Sequence, residues 1–248
     1  GTSTRDTLQM HWLGDITPIW HPAAYETFSQ TINFELMFDN LIRPCFPDGT
    51  TQQYCADLAD SWSTNDAQNY TFKIHQGVKW SDGTPFSIDD IIWTINESQK
   101  WSPGRYKNSA WDAVKGGAAA RDAYAKSGTQ PNLAGAVKVD DSTLQITLEN
   151  PDANWYEDLA DNDAVVLPQH VLKDLLNGVA KDKVQSTIET SDFATAHPVG
   201  TGPYKFVKYE PDQYSEFTAN TDYFLGAPKI THIFVKRMKG DAAEAAGA

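Results

Sequence analysis

The stretch Tyr70-Thr-Phe-Lys-Ile-His-Gln-Gly-Val-Lys-Trp-Ser-Asp-Gly-Thr-Pro-Phe-Ser-Ile-Asp-Asp-Ile-Ile-Trp-Thr-Ile95 decides how the rest of the chain is read. Tyr70, Phe72 and Ile74 alternate with Thr71, Lys73 and His75, the period of a half-buried strand. Ser81-Asp-Gly-Thr84 is a turn. Ser87 then opens a helix, with Asp90 three residues on as its capping-box partner and Ile88, Ile91, Ile92 and Ile95 as its buried stripe. A strand followed at once by a helix marks a mixed fold.

Working outward, Thr7 to Trp12 suits an opening strand, and apolar residues at Phe28, Ile32, Leu36 and Met37 predict a helix within Tyr25–Phe38. Val137 and Val139, the turn Asp140-Asp141-Ser142, and Leu144, Ile146 and Leu148 predict a hairpin. Pro168 predicts a helix start, with Val171, Leu172, Leu175 and Leu176 as its face. Tyr204–Tyr209 and Ile230–Lys236 read as two further strands, whereas Trp101–Pro131 reads as looser chain. Strict βαβ alternation is missing, so the expected class is α/β or α+β with a mixed sheet.

Composition limits the function classes. The chain has 248 residues, 40% of them hydrophobic and 21% charged, enough for a buried core in one large domain or two smaller ones. No run approaches the ~18 apolar residues of a membrane span. A formal net charge of -13 opposes nucleic acid as a partner, because a polyphosphate would meet a repelling field. The opening Gly1 to Thr7 is polar and lacks the apolar core of an export signal, so it reads as a mature start. Cys45 and Cys55 flank the turn-forming Phe46-Pro-Asp-Gly-Thr50. A disulfide across a hairpin and a pair of reduced, half-buried thiols both fit that spacing; a bridge would imply an oxidising compartment.

A search for catalytic chemistry finds little. The six histidines have no i, i+4 pair, so metal ligation is not expected and no cofactor is called for. Gly200-Thr-Gly202 begins like a dinucleotide fingerprint but lacks its third glycine, and Pro203 removes an amide; it reads as a tightly packed backbone crossing. Among acidic pairs, Asp89-Asp90 suits a helix first turn and Asp140-Asp141 a hairpin turn, which leaves Asp161-Asn-Asp163 without a structural role. Of eight tryptophans, Trp62, Trp80 and Trp93 read as core, while Trp20, Trp101, Trp111 and Trp155 sit near turns, where aromatics can form stacking walls for ligands.

Several segments resemble the extracytoplasmic solute-binding proteins of peptide/nickel-type ABC transporters, the oligopeptide- and dipeptide-binding class. They are Phe38-Asp-Asn-Leu-Ile-Arg43, Leu58-Ala-Asp-Ser-Trp62, Tyr70–Lys73 with Gly77–Phe86 and Asp89-Asp-Ile91, Val199-Gly-Thr-Gly-Pro-Tyr204, and Asn220-Thr-Asp-Tyr-Phe224 with Gly226, Pro228 and Ile230. They stand in the family's order and extend the likeness from about Leu8 to Lys239.

The resemblance implies a type II periplasmic-binding-protein-like lobe with a mixed sheet. Residues 1–43 and 194–239 would build the main sheet, 44–193 an inserted α+β subdomain, and 240–248 a tail. Family members are about twice this length, so a second, C-terminal lobe is expected to be largely absent here. The implied function is non-enzymatic: the solute-binding component of an ABC importer captures a peptide-like ligand between two lobes and delivers it to a membrane permease. The implied location is extracytoplasmic, in the periplasm or as a cell-surface lipoprotein. By position in the family, the ligand-binding candidates are Trp20, Tyr25, Asn40, Trp111, Asn162 and Asp163. A carboxylate at 163 would favour a cationic or hydroxyl-rich ligand. An oligosaccharide is the alternative ligand, since flat aromatic walls also stack on sugars. A carbohydrate-active hydrolase using Asp163 and a second acid is the rival from another class, and a chemoreceptor or adhesion protein of the same fold is a third reading.

Overall fold

The computed structural model describes residues 6–13, 16, 20–22, 31–101, 109–129, 131–161 and 164–238. In chain order the strands are β1 (Thr7–Leu13), β2 (Ile42–Cys45), β3 (Gln53–Ala56), β4 (Ala59–Thr64), β5 (Asn69–Ile74), β6 (Ala136–Asp140), β7 (Thr143–Thr147), β8 (Tyr204–Glu210), β9 (Tyr214–Ala219) and β10 (His232–Met238). The helices are α1 (Thr31–Met37), α2 (Ile88–Trp101), α3 (Ser109–Asp112), α4 (Gly117–Ser127), α5 (Trp155–Leu159), α6 (Gln169–Leu172), α7 (Val184–Glu189) and α8 (Asp192–Thr195).

Two sheets organise the fold. In the first, ordered β1-β10-β9-β8, β1 runs parallel to β10 and the other pairs are antiparallel, so the sheet is mixed. Its strands come from both ends of the described chain. The second sheet, β4-β5-β7-β6, is wholly antiparallel and comes from the middle. A separate ribbon pairs β2 with β3.

Local chemistry accounts for the central elements. Tyr70, Phe72 and Ile74 alternate inward along β5 as their period requires. At the start of α2 the Ser87 amide donates to Asp90 Oδ2 at 2.9 Å, and the Asp89 amide donates to Ser87 Oγ at 3.2 Å, which satisfies amides that a helix start leaves open. The other oxygen of Asp90 accepts from the Gln169 amide at 3.2 Å, so one carboxylate caps α2 and anchors the entry to α6. Ile88, Ile91 and Ile95 are buried, each worth roughly 1.5–3 kcal/mol of transfer free energy.

Three elements depart from expectation. The Ala-rich run is helical: α4 lies between Gly116 and Gly128, both in the left-handed region, and alanine's low helix cost fills what turn residues alone made look loose. β9 is a full strand, with Ser215 and Phe217 turned inward; Asp212, at φ 59°, makes the turn into it. After Pro168 the helix lasts one turn only, and Val171 points to solvent while Leu172 is buried.

Candidate functional site

Three of the family-like segments meet at one junction. The Gly202 amide donates to the Met37 carbonyl at 2.8 Å, just past α1. The Ser81 amide donates to the Gly200 carbonyl at 2.8 Å, and Lys205 Nζ returns to the Ser81 carbonyl at 2.9 Å. From the far side the Asn220 amide donates to the Pro203 carbonyl at 2.8 Å and its side chain to the Gly202 carbonyl at 3.1 Å. A Cβ on Gly200 would lie 1.9 Å from the Met37 carbonyl oxygen, so only glycine fits. The glycines serve backbone packing, as their sequence context predicts.

A cavity of about 430 Å³ opens beside this junction. Its floor carries Asp39, Asn40 and Asp57, with Arg43, Asp161 and Tyr223 around it. The end of α1 delivers Asp39 and Asn40, and the link between β3 and β4 delivers Asp57. The Asn40 amide donates to Asp57 Oδ2 at 3.0 Å, and Tyr223 donates its hydroxyl proton to Asp39 Oδ1 at 3.0 Å. Burial pushes both Asp39 and Asp57 above the usual carboxylate range, and the Asp39 charge pushes Asp57 further; Arg43 opposes both shifts. Tyr223 is held above its ordinary value, first by burial and then by the Asp39 charge. With Glu35 on the rim, the lining carries four carboxyl groups against one guanidinium. Such a lining suits a ligand bearing positive charge or many hydroxyl donors.

The predicted site residues scatter. Asn40 lines the cavity, and its side-chain amide donates to the Asp161 carbonyl at 2.9 Å, which brings it to the segment that leads into Asn162 and Asp163. Tyr25, Asn162 and Asp163 themselves lie outside the described residues. Trp20 and Trp111 do not face the cavity. Trp20 is 1% exposed and packs on Phe206 and Phe217 at ring distances of 4.9 and 6.1 Å, and Trp111 is 0% exposed in the core around the second sheet. Trp101 and Trp155 are buried too; Trp155 Nε1 donates to the Ala110 carbonyl at 3.0 Å. Each indole carries enough apolar surface for the interior to take it in despite polar neighbours in sequence. Cys45 and Cys55 are joined by a disulfide across the β2–β3 ribbon. Sequence reasoning missed Asp39, Asp57 and Tyr223; Asp39 and Tyr223 lie inside family-like segments, but nothing local shows that they meet. It also missed Tyr54, which lines an adjoining depression with Gln52 and Glu157. Among the described residues no group of three or more His, Cys, Asp or Glu side chains is arranged to hold a metal ion.

Residues 53–248 match the family described as bacterial extracellular solute-binding proteins, family 5, middle region. The chain belongs to this family. A putative ABC transporter peptide-binding protein of Brucella ovis is 30% identical over 202 residues, 81% of this chain and 32% of the relative. The dipeptide-binding protein of Escherichia coli is 27% identical over 194 residues, 75% of this chain and 32% of that protein. The crystal structure of NikZ from Campylobacter jejuni in complex with Ni(L-His) superposes with a TM-score of 0.71 at 26% identity, covering 98% of this chain and 41% of the other. The chain therefore matches about a third of the length of these curated relatives, less than the half that the sequence resemblance implies. Its fold is that of a type II periplasmic-binding-protein lobe, and it corresponds to 41% of the solved NikZ chain.

Proposed function

We propose that this chain forms the N-terminal part of the solute-capturing component of an ABC importer, and that its ligand is peptide-like. The family match over residues 53–248 carries the reading. The names of the Brucella ovis and Escherichia coli relatives point to peptides. The acidic cavity supports a ligand with a cationic end, such as a peptide ammonium group, because opposite charge fixes orientation at small cost in area. Buried indoles weigh against an oligosaccharide, since Trp20, Trp101, Trp111 and Trp155 offer no flat wall to a sugar ring.

The solute closes between this part and a further lobe, by a hinge, and leaves chemically unchanged to a membrane permease. No catalysis is assigned. Residues 1–43 and 194–239 form the main lobe in this reading, with 44–193 inserted. Leu172, Val184, Ile188 and Phe193 bury their side chains in the same cluster as Phe217 and Val235 of the main sheet, so the insert is packed against that lobe. The protein works outside the cytoplasm, which the Cys45–Cys55 bridge supports. No helix among the described residues is long and apolar enough to cross a membrane.

A thermal-shift screen of the full-length protein tests the reading, with dipeptides to nonapeptides, Ni(L-His) and oligosaccharides as probes. Stabilisation by peptides alone is the expected result; a shift by saccharides with none by peptides overturns it.

A further inference from the structure

Asp39 and Asp57 meet on the floor of the cavity. Each carboxyl group has one oxygen with a donor, Tyr223 O–H for Asp39 and the Asn40 amide for Asp57, both at 3.0 Å. The other oxygens, Asp39 Oδ2 and Asp57 Oδ1, are buried and have no hydrogen-bond partner of ordinary geometry among the described residues. The two carboxyl groups lie within hydrogen-bonding reach of one another. Thr201 sits beside Asp39 and draws that carboxyl's pKa downward as a weak donor, without a hydrogen bond of ordinary geometry.

Two ionised carboxylates in this position would leave two desolvated acceptors side by side, costly both as unpaired polar atoms and as like charges. A proton needs no space, and one proton turns an acceptor–acceptor contact into a charge-assisted hydrogen bond. We propose that Asp39 and Asp57 hold one proton between them at neutral pH, and that this shared proton is a pH-dependent clasp at the junction of the two sheets. The clasp joins the end of α1, the β3–β4 link and, through Tyr223, the turn after β9. It is made at mildly acidic pH and is lost when alkaline conditions strip the proton and the two charges repel.

The groups facing the pair are few. Arg43 from β2 is the one cation on the cavity wall among the described residues; Glu35 from α1 and Asp161 after α5 add negative charge, and Tyr223 stays neutral. The balance around the pair is negative, which favours keeping the proton.

Side-chain carboxyl carbon NMR across a pH titration reads the pair directly in the full chain. The expected result is two widely separated steps for Asp39 and Asp57, with one proton still held near pH 7. Independent titration of both in the ordinary carboxylate range overturns the proposal. Asp57→Asn keeps the acceptor for the Asn40 amide and supplies a permanent N–H toward Asp39. Its melting temperature should lose the fall that the unaltered protein shows between about pH 5 and 8. An unchanged fall in the variant contradicts the clasp, and the NMR titration of the unaltered chain decides the matter if the variant does not fold.

Discussion

The Gly202 amide donates to the Met37 carbonyl at 2.8 Å, and a Cβ on Gly202 would stand 2.4 Å from the Met37 carbonyl carbon. Two stretches of backbone 165 residues apart thus touch with no room for a side chain. Both partners are main chain, so neither can yield by a rotamer change. Gly202→Ala is expected to cost about 3 kcal/mol or more in urea unfolding, at or above the upper end for overpacking. A loss below about 1 kcal/mol would show that the crossing is looser than described.

Stability should peak at mildly acidic pH because two sets of carboxyl groups act in opposite directions. Asp48, Asp66 and Asp140 accept backbone amides in turns, which holds each below the usual range, Asp140 at about 2. Their folded values are depressed, so their contribution is present above the ordinary carboxylate pKa and is lost as pH falls through the folded values. Asp39 and Asp57 are raised by burial, so theirs is present below the ordinary value and is lost as pH rises through the folded ones. Melting temperature measured from about pH 2 to 9 should fall on both sides of a maximum. Asp66→Asn should make the fall on the acid side shallower and leave the alkaline side unchanged.

Much of this arrangement was legible in the sequence where the physics is local. Ser87 and Asp90 stand three residues apart, and capping geometry follows from that spacing. The alternation of Tyr70, Phe72 and Ile74 reports which face is buried. Gly200 and Gly202 announced a close approach, though not that Met37 would be the neighbour. What stayed hidden depends on distant chain. Asp57 follows a strand and looks like any turn aspartate, and its meeting with Asp39 and Tyr223 arises only once β9 has been placed. The tryptophans misled for the same reason: polar neighbours along the chain say little about an indole such as Trp155, which the fold encloses against Tyr70 and Phe72.

The Cys45–Cys55 bridge closes a short loop with a sequence separation of 10. In the chain-entropy view such a cross-link stabilises by about 3 kcal/mol. Denaturant unfolding with and without reductant should show a loss of that order, and the Cys45→Ser, Cys55→Ser double variant should match the reduced protein. Equal stability in both states would mean that the ribbon is held by its backbone pairing alone.

Tyr223→Phe removes the hydroxyl that donates to Asp39 Oδ1. A partly buried carboxyl oxygen then lacks its partner, at an expected cost of about 1–3 kcal/mol. Chemical denaturation at pH 6 and 8 measures it. A neutral substitution would mean that the Tyr223 hydroxyl does not hold Asp39 in place.

Solute capture without chemistry is tested most directly by titration calorimetry of the full-length protein with a defined tripeptide, followed by mass analysis of the recovered peptide. Saturable one-to-one binding at micromolar affinity or better, with the peptide returned at its original mass, is the predicted result. Cleavage of the peptide, or absence of binding across a panel of peptides, would contradict the assignment.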